Sequence, residues 1–272
     1  MTGASMPTLS IAALTILDAG PIGQIEAAAA SGWTSVGLRL NPLLATDMAI
    51  AGHPGREAEV GRLMAATRMK ALEIGVFPIL PEMNIEALAP VLAFSKGLGA
   101  RYAVCPVEDG DAARRVDTFR SLADLCAQHG LDALVEFNPY SACRTLAEAS
   151  AVLAAADRAN TGYVIDALHL SRSGGHPRDL ASVEPRLLKL VHLCDAPAFA
   201  PGTKSADELR KESRTARLLP GEGALPLKEL LAALPADCAI SVEAPSARLA
   251  GLSATERARQ TLAATERFLA RS

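Results

Sequence analysis

Four short apolar runs in this chain each end on a side chain able to bind a divalent cation: LDALVEF at Glu136, TGYVID at Asp166, LLKLVH at His192 and DCAISVE at Glu243. A strand buried on both faces reads as a near-continuous hydrophobic run, so a charge belongs only where the strand emerges. Obeyed four times, that rule gathers three carboxylates and one imidazole on one rim. Such an oxygen-dominated set suits Mn²⁺, Mg²⁺ or Co²⁺, leaves coordination positions open for substrate oxygens, and favours Zn²⁺ less because no thiolate joins it. His169 follows Asp166 by three residues in Asp-Ala-Leu-His and is expected over the same rim, facing substrate. Asp195, three after His192, is expected to orient His192 or a metal-linked water, or else to cap a turn. Asn138 lies two beyond Glu136 and, if the strand continues, faces the same side and hydrogen-bonds substrate.

To meet on one rim, residues this far apart need parallel strands joined by crossover helices. Strand-like segments fall near 8 to 16, 33 to 39, 71 to 77, 101 to 106, 131 to 137, 162 to 166, 188 to 193 and 238 to 243. Between them lie Ala-rich amphipathic stretches of helical length, among them PGREAEVGRLMAATRMK, DAARRVDTFRSLADLCAQHG, PRDLASVEPR and SATERARQTLAATERFLA. Eight such units predict a single (β/α)8 barrel over residues 1–272. An open doubly wound sheet would carry a glycine-rich loop after its first strand, and DAGPIGQ lacks Gly-x-Gly-x-x-Gly. Gly99 and Gly130 suit helix C-termini, and Ser253 with Glu256 reads as a capping box. The connection from Asp195 to Ala224 is long and holds the helix-like ADELRKESRTAR, which predicts a lid over the rim.

Composition narrows the classes of function. A formal net charge of −3, with Lys and Arg spread along the chain, argues against a nucleic-acid partner. No apolar stretch reaches the roughly 18 to 20 residues of a membrane span, and the first residues lack the basic region of a signal peptide. The five cysteines include no Cys-x-x-Cys pair and read as buried thiols of a cytoplasmic protein.

The ordered set Val-Glu136-Phe-Asn138, Ile-Asp166-x-x-His169, Val-His192-x-x-Asp195, Arg217-x-x-Pro-Gly221-Glu222-Gly223 and Ser-Val-Glu243 resembles the xylose isomerase-like TIM barrels. Within them it is similar to the sugar (phosphate) isomerase and epimerase group, relatives of inosose dehydratase, hydroxypyruvate isomerase and ketose 3-epimerases. The resemblance spans essentially the whole chain and is specific for the superfamily, not for a substrate. It implies one divalent ion, Mn²⁺ first, with Mg²⁺, Co²⁺ or Zn²⁺ as alternatives, on Glu136, Asp166, His192 and Glu243. It implies His169 and Arg217 on the substrate, and Glu136 and Glu243 as the acid/base pair that removes and returns a proton while the ion stabilises an enediolate. The implied activity is isomerisation or epimerisation of a small polyhydroxylated keto sugar or related keto compound, and the implied assembly a homodimer.

Dehydration of the inosose or 3-dehydroshikimate type is the alternative, since removal of the same α-proton leads to elimination whenever a β-hydroxyl can leave. The related AP endonucleases need further histidines at the third and fourth strand ends and an Asp-x-His after the seventh. Here those places read Val-Phe77-Pro78-Ile, Val-Cys105-Pro106-Val and Arg-Thr-Ala-Arg217, which argues against a nuclease. A non-catalytic barrel would be expected to have lost Glu136 or Glu243, and both are present. Glu222, between two glycines, is expected to anchor the lid or support Arg217, and Phe77, Phe137, Tyr140 and Phe199 are weighed as an apolar wall of the site. After the last strand, Ala-Pro-Ser246-Ala-Arg248 forms no convincing phosphate cradle.

Overall fold

All eight strands pair in parallel with their sequence neighbours, and β8 closes back onto β1. They are β1 Leu9–Ile11, β2 Ser35–Leu38, β3 Lys70–Ile74, β4 Tyr102–Pro106, β5 Asp132–Glu136, β6 Thr161–Asp166, β7 Leu188–Leu193 and β8 Ala239–Val242. Nine α-helices are present among the described residues: α1 Gly20–Ser31, α2 Pro54–Thr67, α3 Ala89–Gly97, α4 Ala112–Gln128, α5 Leu146–Ala156, α6 Ala167–Arg172, α7 Ala206–Thr215, α8 Leu227–Ala232 and α9 Ala254–Leu269. The architecture is a computed structural model that describes residues 8–43 and 47–271. The predicted barrel is therefore the fold, and Met1–Pro7 of the N-terminal reading lie outside the described residues.

Strand periodicity sorts the core into two layers. Leu72, Tyr102, Val104, Leu134, Val164, Leu190 and Ala239 pack together inside the barrel. Ala103, Cys105, Val135, Ile165, Val191 and Val242 join the larger core between sheet and helices. With side chains alternating along a strand, Glu136, Asp166 and His192 each stand two residues past an interior residue and so point inward at the rim. β3 breaks the alternation. Val36 pairs with Ala71 and Leu38 with Ile74, so the single residue Gly37 opposes both Leu72 and Glu73 in a bulge.

Two segments differ from the predicted pattern. β1 is only three residues long, and a 3-10 stretch, Ala13–Ala19, replaces its second half. Thr15 there donates its hydroxyl to Val242 O at 2.8 Å and accepts from Ala244 N at 3.0 Å, which fastens the turn to β8. The expected helix over 177–186 is two 3-10 pieces, Pro177–Ser182 and Pro185–Leu187. Pro185 supplies no N–H and disfavours helical backbone at Glu184, which is extended at ψ 122°, so the helix breaks there.

Gly99 and Gly130 take the left-handed conformation at φ 86° and 65°. Ser253 accepts from Glu256 N at 3.2 Å, but the Glu256 side chain turns to Arg259 and Gln260, so only half of the capping box forms. All five cysteines are buried and free. Among the described residues no helix is long and apolar enough to cross a membrane.

Candidate metal centre

Glu136 and Asp166 are the last residues of β5 and β6, His192 is the penultimate residue of β7, and Glu243 follows β8 directly. One ligand atom from each lies within 4.8 Å of all the others. Donors about 2.1 Å from a shared ion stand roughly 3 to 4.2 Å apart, so the four side chains would draw together to seat a cation. Three carboxylates and an imidazole fit a divalent ion.

Two cations of the chain sit among these carboxylates. His192 Nδ1 lies 3.0 Å from Glu136 Oε1, 3.6 Å from Glu243 Oε2 and 4.0 Å from Asp166 Oδ2. Burial opposes a charged imidazole, but the Glu243 and Glu73 carboxylates and hydrogen bonds to Glu136 and Glu73 hold the His192 pKa well above its ordinary value. Arg217, almost wholly buried, sends Nη1 to Asp166 Oδ2 at 2.5 Å, Nη2 to Glu243 Oε2 at 2.9 Å and Nε to Ser213 O at 2.7 Å. Burial works to raise the Asp166 pKa, yet Arg217, with His169 and His192, drives it well below the usual carboxylate range. For Glu243 burial prevails: helped by Glu136 and Asp166 and opposed by His192 and Arg217, it leaves the carboxyl raised.

Asp166 also begins α6, where its Oδ1 accepts from His169 N at 2.9 Å. This N-cap turns the chain so that the His169 ring enters the cavity. The ring is 3% exposed, its Nδ1 has no hydrogen-bond partner, and the Tyr140 ring meets it edge-on at 5.6 Å. Burial lowers the His169 pKa to about 4, Arg217 adding to the effect against Asp166. His169 is therefore neutral near pH 7.

The segment after β7 covers this rim. Asp195 and Leu218 exchange backbone hydrogen bonds at 2.9 and 2.8 Å, and Arg217 N donates to Pro245 O at 3.1 Å, so the returning chain is zipped onto the ends of β7 and β8. α7 is tied across the mouth by Tyr140 Oη to Ser213 Oγ at 2.7 Å, and by Glu212 to Arg172 and Lys204 at 2.7 and 2.8 Å. Beneath it a cavity of about 440 Å³ is lined by Glu73, Glu136, His169, His192, Arg217 and Glu243, with Arg39 and Arg214 also on its wall.

Asp195 takes the turn-capping role that was its alternative, and two other expected positions lie elsewhere. Asp195 does not reach His192; its carboxylate accepts from the backbone N–H of Ala196, Gly221, Gly223 and Leu225 at 2.8 to 3.1 Å and so holds the Pro-Gly-Glu-Gly turn. Glu222 is paired with Arg248 on the surface, away from Arg217. Asn138 is buried but does not line the cavity; its Oδ1 lies 3.4 Å from Tyr140 N in the turn after β5. Of Phe77, Phe137, Tyr140 and Phe199, only Tyr140 lines the cavity.

A further buried carboxylate joins the site without ending a strand. Glu73, in the β3 bulge, places Oε2 2.8 Å from His192 Nε2 and accepts from Ser241 Oγ at 2.6 Å. Its mark in the sequence is a single carboxylate inside the otherwise apolar stretch ALEI.

The sequence profile of the family described as "Xylose isomerase-like TIM barrel" matches residues 25–268. An inosose isomerase of Bacillus licheniformis is 26% identical over 160 residues, 55% of this chain and 55% of that protein. A 3-dehydroshikimate dehydratase of Pseudomonas aeruginosa is 28% identical over 225 residues, 77% of this chain and 33% of that protein. The chain thus spans about half the length of the first relative and a third of the second. Among solved structures, the IolI protein with a bound zinc atom superposes with a TM-score of 0.79 at 18% identity, covering 97% of this chain and 98% of the other.

Proposed function

We propose that this chain, which belongs to the xylose isomerase-like TIM barrel family, is a divalent-metal-dependent isomerase or epimerase acting on a small polyhydroxylated keto sugar or related keto compound. The observation that carries this reading is a pair of largely buried glutamates beside one imidazole nitrogen. Glu136 and Glu243 approach His192 Nδ1 to 3.0 and 3.6 Å and line the same cavity. A proton α to a carbonyl is only weakly acidic, so its removal needs a base at the carbon and positive charge at the oxygen. A divalent ion held by Glu136, Asp166, His192 and Glu243 supplies Lewis-acid stabilisation of that oxygen. We assign Mn²⁺ first, and the zinc atom in the IolI structure supports a divalent ion in this fold.

The chain's own groups divide the remaining work. Glu243, whose proton affinity burial and neighbouring carboxylates raise, takes or returns the proton on one side, and Glu136 serves the other. Arg217 keeps a fixed positive charge at the wall where negative charge develops. Neutral His169 offers its unpartnered Nδ1 to a substrate hydroxyl. A cavity of about 440 Å³ falls within the size range of small-molecule sites. Five buried thiols support a cytoplasmic setting.

The dehydratase is the second reading, supported by the 225-residue match to 3-dehydroshikimate dehydratase. Incubation with Mn²⁺ and candidate keto sugars in D₂O separates the two. Epimerisation or isomerisation incorporates solvent deuterium at carbon with no rise in absorbance. A conjugated enone or aromatic product from 3-dehydroshikimate or inosose would instead establish the dehydratase. No exchange with any keto compound would sink both.

A further inference from the structure

A histidine ligand can present either ring nitrogen to a metal, and the partner of the other nitrogen decides which. In this barrel the two nitrogens of His192 face different surroundings. Nδ1 points into the cluster of Glu136, Asp166 and Glu243, whereas Nε2 lies 2.8 Å from Glu73 Oε2. Glu73 has no place in the ligand cluster, is 3% exposed, and engages its other oxygen with Ser241 Oγ at 2.6 Å. Both of its oxygens are thus committed to the barrel interior below the rim.

The fold makes room for this carboxylate. The β3 bulge turns Glu73 inward beside Leu72, opposite Gly37. A β-carbon on Gly37 would stand 2.7 Å from Glu73 Oε1 and 3.0 Å from its Cγ, so the Glu73 side chain would have to move from its present place. Gly37 has an ordinary backbone conformation, so the missing side chain serves space and not φ. A bulge that re-aims one side chain, a glycine that clears its path and a serine that fixes its far oxygen converge on one hydrogen bond to His192.

We infer that Glu73 is the positioning residue of this centre: by accepting the Nε2 hydrogen of His192 it locks the ring so that Nδ1 is the nitrogen presented to the cation. The inference rests on the reading of Glu136, Asp166, His192 and Glu243 as ligands. It adds a fifth residue, from the opposite side of the barrel, whose loss leaves all four ligands in the chain but their imidazole free to rotate.

The test is Mn²⁺ binding by titration calorimetry, joined to side-chain ¹⁵N spectra of the Zn²⁺-loaded protein. Glu73→Ala weakens Mn²⁺ binding by about 10- to 100-fold. Glu73→Gln, whose amide oxygen still accepts, loses less, and Ser241→Ala less again. Gly37→Ala weakens binding while Glu73 is present and adds nothing to Glu73→Ala, because its effect passes through the same carboxylate. In the wild-type spectrum His192 carries its proton on Nε2 with Nδ1 on the metal, and Glu73→Ala loses that single form. Should Glu73→Ala fail to fold, Glu73→Gln and Ser241→Ala carry the test with the same ordering. Undiminished affinity in the Glu73 variants, or a spectrum with Nε2 on the metal, overturns the inference and leaves the ligand set standing. A wild-type protein that binds no divalent cation overturns the ligand set and, with it, the role of Glu73.

Discussion

Replacing Arg217 by Met should destabilise the metal-free protein far more than the metal-loaded one. The guanidinium is 1% exposed and serves two carboxylates at once, Asp166 at 0% and Glu243 at 13%. Removing one partner of a buried ion pair costs about 3–5 kcal/mol, because the charge left behind is uncompensated. At about 2–4 °C per kcal/mol for a domain of this size, the melting temperature in EDTA falls by roughly 6–20 °C. A divalent cation restores the compensation and no longer competes with a guanidinium, so the variant binds Mn²⁺ more tightly than the wild type. Each tenfold gain in affinity returns about 1.4 kcal/mol at fixed excess metal, and the deficit should shrink by about 1–3 kcal/mol in saturating Mn²⁺. Turnover still falls, because the positive charge beside the substrate is gone. Arg217→Lys, which keeps the charge and loses the fork, should lie between. Urea unfolding of the three proteins with EDTA and with Mn²⁺ decides the matter. An equal deficit in both conditions would show that Arg217 contributes packing of its buried stem, not charge.

Four further outcomes follow from the same geometry. Glu243→Gln keeps the fold, as circular dichroism would show, but lowers turnover by at least about 10²-fold, the size of a lost acid/base group; unchanged turnover refutes the assignment. Metal binding displaces a proton from His192 Nδ1, since the raised pKa keeps the ring charged without metal; calorimetry in buffers of different ionisation enthalpy should find close to one proton released near pH 7, and none would refute it. The depressed His169 pKa means that the unfolded chain takes up a proton below about pH 6.5 that the folded chain refuses until about pH 4. Stability from this source is full above the unfolded value and lost as pH falls through that window, so metal-free wild type should lose about 3 kcal/mol relative to His169→Gln between pH 7 and 4; parallel stability curves would contradict it. Asp195→Ala leaves four backbone donors without their acceptor and should cost about 3 kcal/mol or more in unfolding experiments, with Mn²⁺ affinity kept; lost affinity at intact stability would place Asp195 at the centre after all.

What could be read from the sequence depended on how local the signal was. Glu136, Asp166 and His192 were legible because each terminates its own apolar run, and one strand's pattern suffices to show a charge emerging at a rim. Glu73 breaks that rule: its run continues past it, and what turns it inward is the mismatch between Val36↔Ala71 and Leu38↔Ile74, a property of two strands together. Asn138 lies away from the cavity for a related reason. β5 ends at Glu136, and Asn138 N already bonds to Cys143 O in the following turn, so strand alternation no longer applies two residues on. The partners of Asp195 lie up to thirty residues later, in a turn whose return path only the assembled barrel defines.

Charge accounting explains why these residues belong together. Four largely buried carboxylates, Glu73, Glu136, Asp166 and Glu243, face one guanidinium and one imidazole. Even with His192 protonated, the group carries excess negative charge in a medium where isolated charge is expensive. With a divalent ion in place of the His192 proton the excess would be smaller, and Arg217 would be free to act beyond the carboxylates it now holds. Glu73 takes no part in that exchange, because its oxygens are bound to Nε2 and Ser241 on the side away from the cluster. Its carboxylate would strengthen the electron pair that Nδ1 offers to a cation without itself joining Glu136, Asp166, His192 and Glu243 as a ligand.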